Sequence, residues 1–143
     1  MRWKKIMKIS WSALFLIILL RAVVFADEAR TVMEEVHYTI SSQIDAFKKN
    51  DVKEAYTFAA PNIQAQFPNP DTFGLMVRNG YPTIWKPKSF KFVKFKDLGN
   101  KCIQRVLFQS YGGSLETYDY ILEKNNNLWK IAGVLAIKSA GET

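Results

Sequence analysis

The 143-residue chain carries 20 Lys or Arg against 13 Asp or Glu, a formal net charge of +7, with 48% hydrophobic and 14% aromatic residues. The aromatic content excludes a disordered chain, and a single cysteine excludes an intramolecular disulfide framework. The charge does not point to a nucleic-acid partner, because Arg2, Lys4, Lys5, Lys8 and Arg21 all lie in the first 26 residues, leaving 15 basic against 13 acidic residues beyond them.

A basic start, an apolar run from Ile9 to Leu20 and the sequence Val24-Phe25-Ala26 before Asp27-Glu28 have the form of a secretory signal, with cleavage expected after Ala26. Ser10 and Ser12 dilute the run and Arg21 interrupts it. The competing reading is an uncleaved inner-membrane anchor over residues 9–26, which falls short of the about 20 apolar residues a bilayer span needs. Lys and Arg before the run stay cytoplasmic, so under either reading the remainder is exported. Residues 27–143 then form one domain.

Met33, Val36, His37, Ile40, Ile44 and Phe47 recur at steps of three and four, one face of a first helix. Acids lie toward its start and Lys48-Lys49 at its end, in accord with the helix dipole. Asp51 with Glu54 three residues on resembles a capping box opening a second helix, with Val52, Ala55, Tyr56 and Ala59 inward and Pro61 as its end. A short helical turn places Ile63 and Phe67. Asn69-Pro70 starts a third helix with Phe73, Met76 and Val77 inward, and Gly80 is expected as the left-handed residue past its end. Tyr81-Pro82 is expected to lead into the strands.

From Ser89 the period becomes two. Phe90 and Phe92 have one parity and Phe95 the other, which predicts a bulge near Val93. Gly99-Asn100, Gly112-Gly113 and Asn125-Asn126-Asn127 separate strands over Lys101–Tyr111, Leu115–Lys124 and Leu128–Lys138. Tyr118, Tyr120 and Leu122 share one face, Asp119 and Glu123 the other. Trp129, Ile131, Leu135 and Ile137 are expected on one face of the last strand. The fold class is α+β: three N-terminal helices packed on a curved four-stranded antiparallel sheet, cone-like. Cys102 is expected as a buried thiol on a strand.

Several phrases occur together in order: Ala55-Tyr56, Ala59-Ala60-Pro61-Asn62-Ile63, Met76-Val77-Arg78-Asn79-Gly80-Tyr81-Pro82, Gln104-Arg105-Val106-Leu107, Tyr120-Ile121-Leu122 and Trp129-Lys130-Ile131-Ala132-Gly133-Val134. On these the chain from about Glu35 to Ile137 resembles the bacterial family called domain of unknown function 4864, itself similar to the nuclear-transport-factor-2-like, or cystatin-like, superfamily. The resemblance implies a sheet wrapped around a long helix, often with a pocket, and export. It supplies no activity, and the wider superfamily spans isomerases, dehydratases, binding subunits and dimerisation modules.

His37, the sole histidine, shares a face with Met33, Ile40 and Ile44, so a partly buried helical histidine outweighs a general base. Scattered acids with one His and one Cys show no metal-ligand spacing; neither metal nor cofactor is expected. Arg78 and Tyr81 either close the third helix and plug the core mouth, or stand at a pocket entrance where Arg78 or Arg105 meets an anionic group. Tyr56, Met76, Tyr120 and Trp129 are weighed as core before ligand box. Lysines 86, 88, 91, 94, 96 and 101 read as protection of an edge strand, ahead of an anionic envelope surface and well ahead of nucleic acid. The resulting expectation is a non-catalytic exported module that binds a small apolar or anionic ligand or pairs with a second copy through its sheet, with membrane contact only if the leading segment is retained. The alternative is an enzyme on a small apolar molecule, with His37 as base and Tyr56 or Tyr120 as donor.

Overall fold

The computed structural model describes residues 11–138. The basic start, Arg2 to Lys8, lies outside the described residues. The chain divides into two units, Met1–Val32 and Met33–Thr143. In the first, the leading part of α1 (Trp11–Lys48) exposes Phe15, Leu16, Leu20 and Phe25. The apolar stripe was read from Met33 with acids toward its start; α1 is described from Trp11, and neither Pro nor Gly occurs between Trp11 and Met33 to interrupt it. No helix among the described residues is long and apolar enough to cross a membrane.

In the second unit α1 carries Val36, Ile40, Ile44 and Phe47, all fully or almost fully buried as their spacing predicts. It closes at Asn50, whose φ of 58° is left-handed; Asn50 N donates to Phe47 O and Asp51 N to Ala46 O, both at 2.9 Å. The Asp51 carboxylate then caps α2 (Val52–Thr57), accepting from Glu54 N at 3.0 Å.

Four helical expectations are corrected here. α2 stops before Phe58, and Ala59 instead pairs with Ile131, with Ala60 N donating to Ile131 O and Ile131 N to Phe58 O, both at 2.8 Å. Pro61 therefore begins a helix, α3 (Pro61–Gln66), where its missing N–H costs nothing. α4 (Pro70–Gly80) is capped by Asn69 as read, but Gly80 is its last helical residue and Tyr81, at φ −137° and ψ 57°, is the cap. Pro82 then opens a further helix, α5 (Pro82–Trp85), so the described residues form five helices where three and a short helical turn were expected.

The sheet runs β1 (Ser89–Asp97), β2 (Lys101–Gln109), β3 (Leu115–Asn125) and β4 (Leu128–Ile137), antiparallel neighbours in chain order. Val93 is left unpaired between Phe92↔Val106 and Lys94↔Arg105, so Phe90, Phe92 and Phe95 all face the helices. A second bulge, not foreseen, leaves Ala132 unpaired between Leu122↔Ile131 and Ile121↔Gly133. It inverts the alternation of β4. Leu135 and Ile137 thus stand opposite Asp119 and Thr117 on the outer face, while Val134 and Ala136 stand opposite Tyr120 and Tyr118. The expectation of one face for Trp129, Ile131, Leu135 and Ile137 fails for that reason. Asn62 Nδ2 donates to Ala132 O at 2.9 Å, tying the bulge to α3.

Candidate functional site

Between α1, α4 and the end of the inner sheet face lies a cavity of about 430 Å³. Phe73, Met76 and Val77 reach it because steps of three and four put them on one face of α4. Tyr120 reaches it by strand parity, and Val134 because the Ala132 bulge turns it inward. Tyr81 reaches it from the junction of α4 and α5. Among the described residues no Lys, Arg, His, Asp or Glu lines the cavity; the polar side chains there are Gln43, Gln66, Tyr81 and Tyr120. Gln43 is already committed, its Nε2 donating to Ala55 O at 3.1 Å.

Of the eight residues singled out in the sequence, Met76, Tyr81 and Tyr120 meet at this cavity. The other five do not. Tyr56 donates its hydroxyl to Phe67 O at 2.7 Å and holds the α2–α3 turn. Trp129 is buried elsewhere on the inner face, with Lys124 Nζ 5.7 Å from its ring centroid. Arg78 is exposed beside a separate groove with Asn50 and Asp71.

Arg105 points to the outer face of the sheet, where Nε and Nη2 donate to the two Asp119 oxygens at 2.7 and 2.8 Å. This fork holds the Asp119 carboxyl below its ordinary range, against a smaller upward push from burial. The two arginines proposed for an anionic ligand therefore stand away from the cavity.

His37 lies flat on Phe92, ring centroids 3.8 Å apart and planes within 2°. Its Nε2 meets Gln104 Oε1 at 2.9 Å, while Gln104 Nε2 donates to Lys94 O and Arg105 O at 3.2 and 2.9 Å. Because the amide nitrogen is occupied by two carbonyls, its oxygen faces the ring and His37 Nε2 is the donor. A nitrogen already donating has no lone pair for general-base work. The constellation of His37 with Tyr56 or Tyr120 is not brought together at the cavity.

Sequence reasoning missed an acid on the inner side. Glu116 has the parity of Tyr118 and Tyr120; Oε1 accepts from Thr83 Oγ1 at 2.8 Å and Oε2 from Tyr118 Oη at 2.6 Å. The signal was present in the count from Glu116 to Tyr118, but only Asp119 and Glu123 had been weighed. Tyr81 packs on Tyr118 with ring centroids 5.9 Å apart, linking this cluster to the cavity wall. Burial first, then the Glu116 hydrogen bond, pushes the Tyr118 phenol up. Burial likewise raises Tyr120, whose hydroxyl is enclosed and has no hydrogen-bond partner. Cys102, buried on β2, is pushed up to about 12 mainly by burial, and no group of His, Cys, Asp and Glu suited to a metal ion occurs among the described residues.

The family model described as Domain of unknown function (DUF4864) matches residues 29–143. No curated protein matches the chain. Among solved structures, an NTF-2 like protein of unknown function from Shewanella oneidensis MR-1 is similar at 13% sequence identity, covering 73% of this chain and 97% of that one, with a TM-score of 0.49.

Proposed function

Since the chain belongs to the family described as Domain of unknown function (DUF4864), to which that description gives no activity, we propose from the site itself that it is an exported, non-catalytic module that holds a small apolar molecule in the cavity beside Tyr120. The carrying observation is a cavity of about 430 Å³ walled by Phe47, Phe73, Met76 and Val134, with no charged side chain among its described lining residues. That volume is within the range of about 300–1,000 Å³ typical of small-molecule sites. An anionic ligand is disfavoured, since a carboxylate or phosphate there would be desolvated with no cation to meet it. The rival enzyme reading is disfavoured because neither His37 nor Tyr56 lines the cavity.

Native mass spectrometry of the full chain purified from its own host tests this reading, the expected result being a neutral molecule retained at one per chain. Val134→Trp, which fills the cavity, should abolish retention. A cavity that stays empty in the host-purified protein, with affinity for hydrophobic probes equal in wild type and Val134→Trp, would defeat it.

Export rests on the basic start and apolar run of the first 26 residues. Cell fractionation with N-terminal sequencing should find the chain outside the cytoplasm and beginning at Asp27; a chain beginning at Met1 in the membrane fraction would favour the anchor.

A second reading is supported by the outer sheet face. Ile103, Leu107 and Ile121 are only half covered there and Leu135 is exposed, the composition a second copy would cover. Sedimentation showing a monomer at micromolar concentration, unchanged by Leu107→Lys, would sink the pairing.

A further inference from the structure

The inner face of β3 holds a hydroxyl that the folded chain leaves unused. Tyr120 is fully buried, it lines the cavity, and its Oη has no hydrogen-bond partner. A buried hydroxyl without a partner is costly, on the order of 1–3 kcal/mol, and native chains leave few such groups. The neighbouring phenol shows what satisfaction looks like here: Tyr118 Oη, two residues along the same face, donates to Glu116 at 2.6 Å.

The surroundings restrict what could meet Tyr120. Glu116 accepts from Thr83 and Tyr118, and no hydrogen bond joins it to Tyr120. The remaining unexplained neighbour is the cavity itself. Its boundary at this point is Tyr81, which lines the cavity, stays half-buried and rests on Tyr118 at 5.9 Å. We propose that the bound molecule is neutral and carries one hydrogen-bond acceptor, a ketone, ester or ether oxygen at the end of an apolar body, and that Tyr120 Oη donates to it. This rests on the reading of the cavity as a ligand site and names the class of ligand.

Charge decides between acceptors. A carboxylate would accept from Tyr120 more strongly than a ketone, but it would also lie in a cavity whose described lining holds no cation. An uncompensated charge in such a place costs far more than one stronger hydrogen bond returns. A pure hydrocarbon would fit but would leave the hydroxyl orphaned.

The experiment compares acetylnaphthalene, ethylnaphthalene and naphthoate, alike in size but differing in acceptor and charge, by calorimetric or fluorescence titration of the full chain. Wild type should bind the ketone about tenfold or more tightly than the hydrocarbon, the increment of about 1.4 kcal/mol within the range of one buried hydrogen bond, and the naphthoate most weakly. Tyr120→Phe should erase the ketone's advantage while leaving ethylnaphthalene within about twofold. It should fold at least as well as wild type, because it removes an unsatisfied group. Tyr118→Phe should keep the ketone's advantage. The inference is overturned if the ketone has no advantage in wild type, if its advantage survives Tyr120→Phe, if naphthoate binds best, or if Tyr120→Phe unfolds the chain and so reveals an existing partner. In those cases ethylnaphthalene binding sensitive to Val134→Trp leaves the cavity reading standing. Failure of all three probes overturns both.

Discussion

Gln104 and His37 hold each other in place across the helix–sheet interface, the amide oxygen 2.9 Å from Nε2 and the amide nitrogen spent on two strand carbonyls. Gln104 is 1% exposed and its bonds to His37, Lys94 O and Arg105 O are at least partly shielded from water. Gln104→Leu should therefore destabilise the fold by about 1–3 kcal/mol, the cost of orphaned buried partners. His37→Phe should cost less, since stacking on Phe92 survives, and should leave probe binding in the cavity unchanged. Urea unfolding with parallel titrations checks both, and loss of binding in His37→Phe would return the histidine to the functional site.

Asp119 makes a prediction at acid pH. Its folded pKa lies below the ordinary 3.8, first because of the Arg105 hydrogen bonds and then through attraction to Arg105 and Lys94, with burial opposing. The unfolded state thus takes up a proton before the folded state does. The stabilisation is present above the ordinary value and is lost as pH falls through the folded one. Asp119→Asn should flatten the loss of stability between about pH 5 and about pH 2, measured as urea midpoints. Equal slopes in wild type and variant would show the pair to be without effect.

Much of the architecture was readable because each strand carries its own period. Tyr118, Tyr120 and Leu122 face inward as counted, and the misfit of Phe90 and Phe92 with Phe95 did mark a bulge. The second bulge was invisible, because Trp129-Lys130-Ile131-Ala132-Gly133-Val134 fits unbroken alternation equally well until the 58–62 segment pairs with Ile131 and Ala132. The helix boundaries failed for a related reason. Proline is equally at home after one helix and at the first turn of the next, and tertiary pairing of Ala59 decided the matter at Pro61. At the site, Met76, Tyr81 and Tyr120 were legible from spacing, whereas the separation of Arg105 from the cavity follows from its partner Asp119, which the sequence places 14 residues away.

Cys102 predicts the alkaline limb. Burial, with Asp97 adding to it, lifts the thiol from an ordinary 9.0 to about 12, against a weaker pull from the Leu122 backbone. The unfolded thiol ionises first, so its contribution is complete below about 9 and is lost as pH rises toward about 12. The slope from one such group is at most about 1.4 kcal/mol per pH unit. Tyr118 and Tyr120 shift in the same direction, so the informative quantity is the difference between wild type and Cys102→Ala, whose profile should be shallower over that window. The same burial should keep the native thiol unreactive toward a disulfide reagent until the chain unfolds; rapid labelling of the native protein would contradict it.

Gly74 makes the sharpest prediction on packing, because helix propensity and tertiary contact disagree in sign. Within an exposed helix Gly→Ala is worth about 1 kcal/mol of added stability. Here a Cβ would collide with Val52 Cγ1 and lie 3.1 Å from Val52 Cβ, where α4 crosses α2. Val52 cannot yield freely, since it begins α2 directly after the Asp51 cap. Gly74→Ala should therefore destabilise, by about 1–3 kcal/mol. In the background of Val52→Ala the Cγ1 collision is removed while the 3.1 Å approach to Cβ remains, and the same substitution should become much less destabilising. A double-mutant cycle reads this as a coupling energy between the two positions. Additive effects, or a stabilising Gly74→Ala in wild type, would mean that α2 and α4 do not approach as closely as the structure places them.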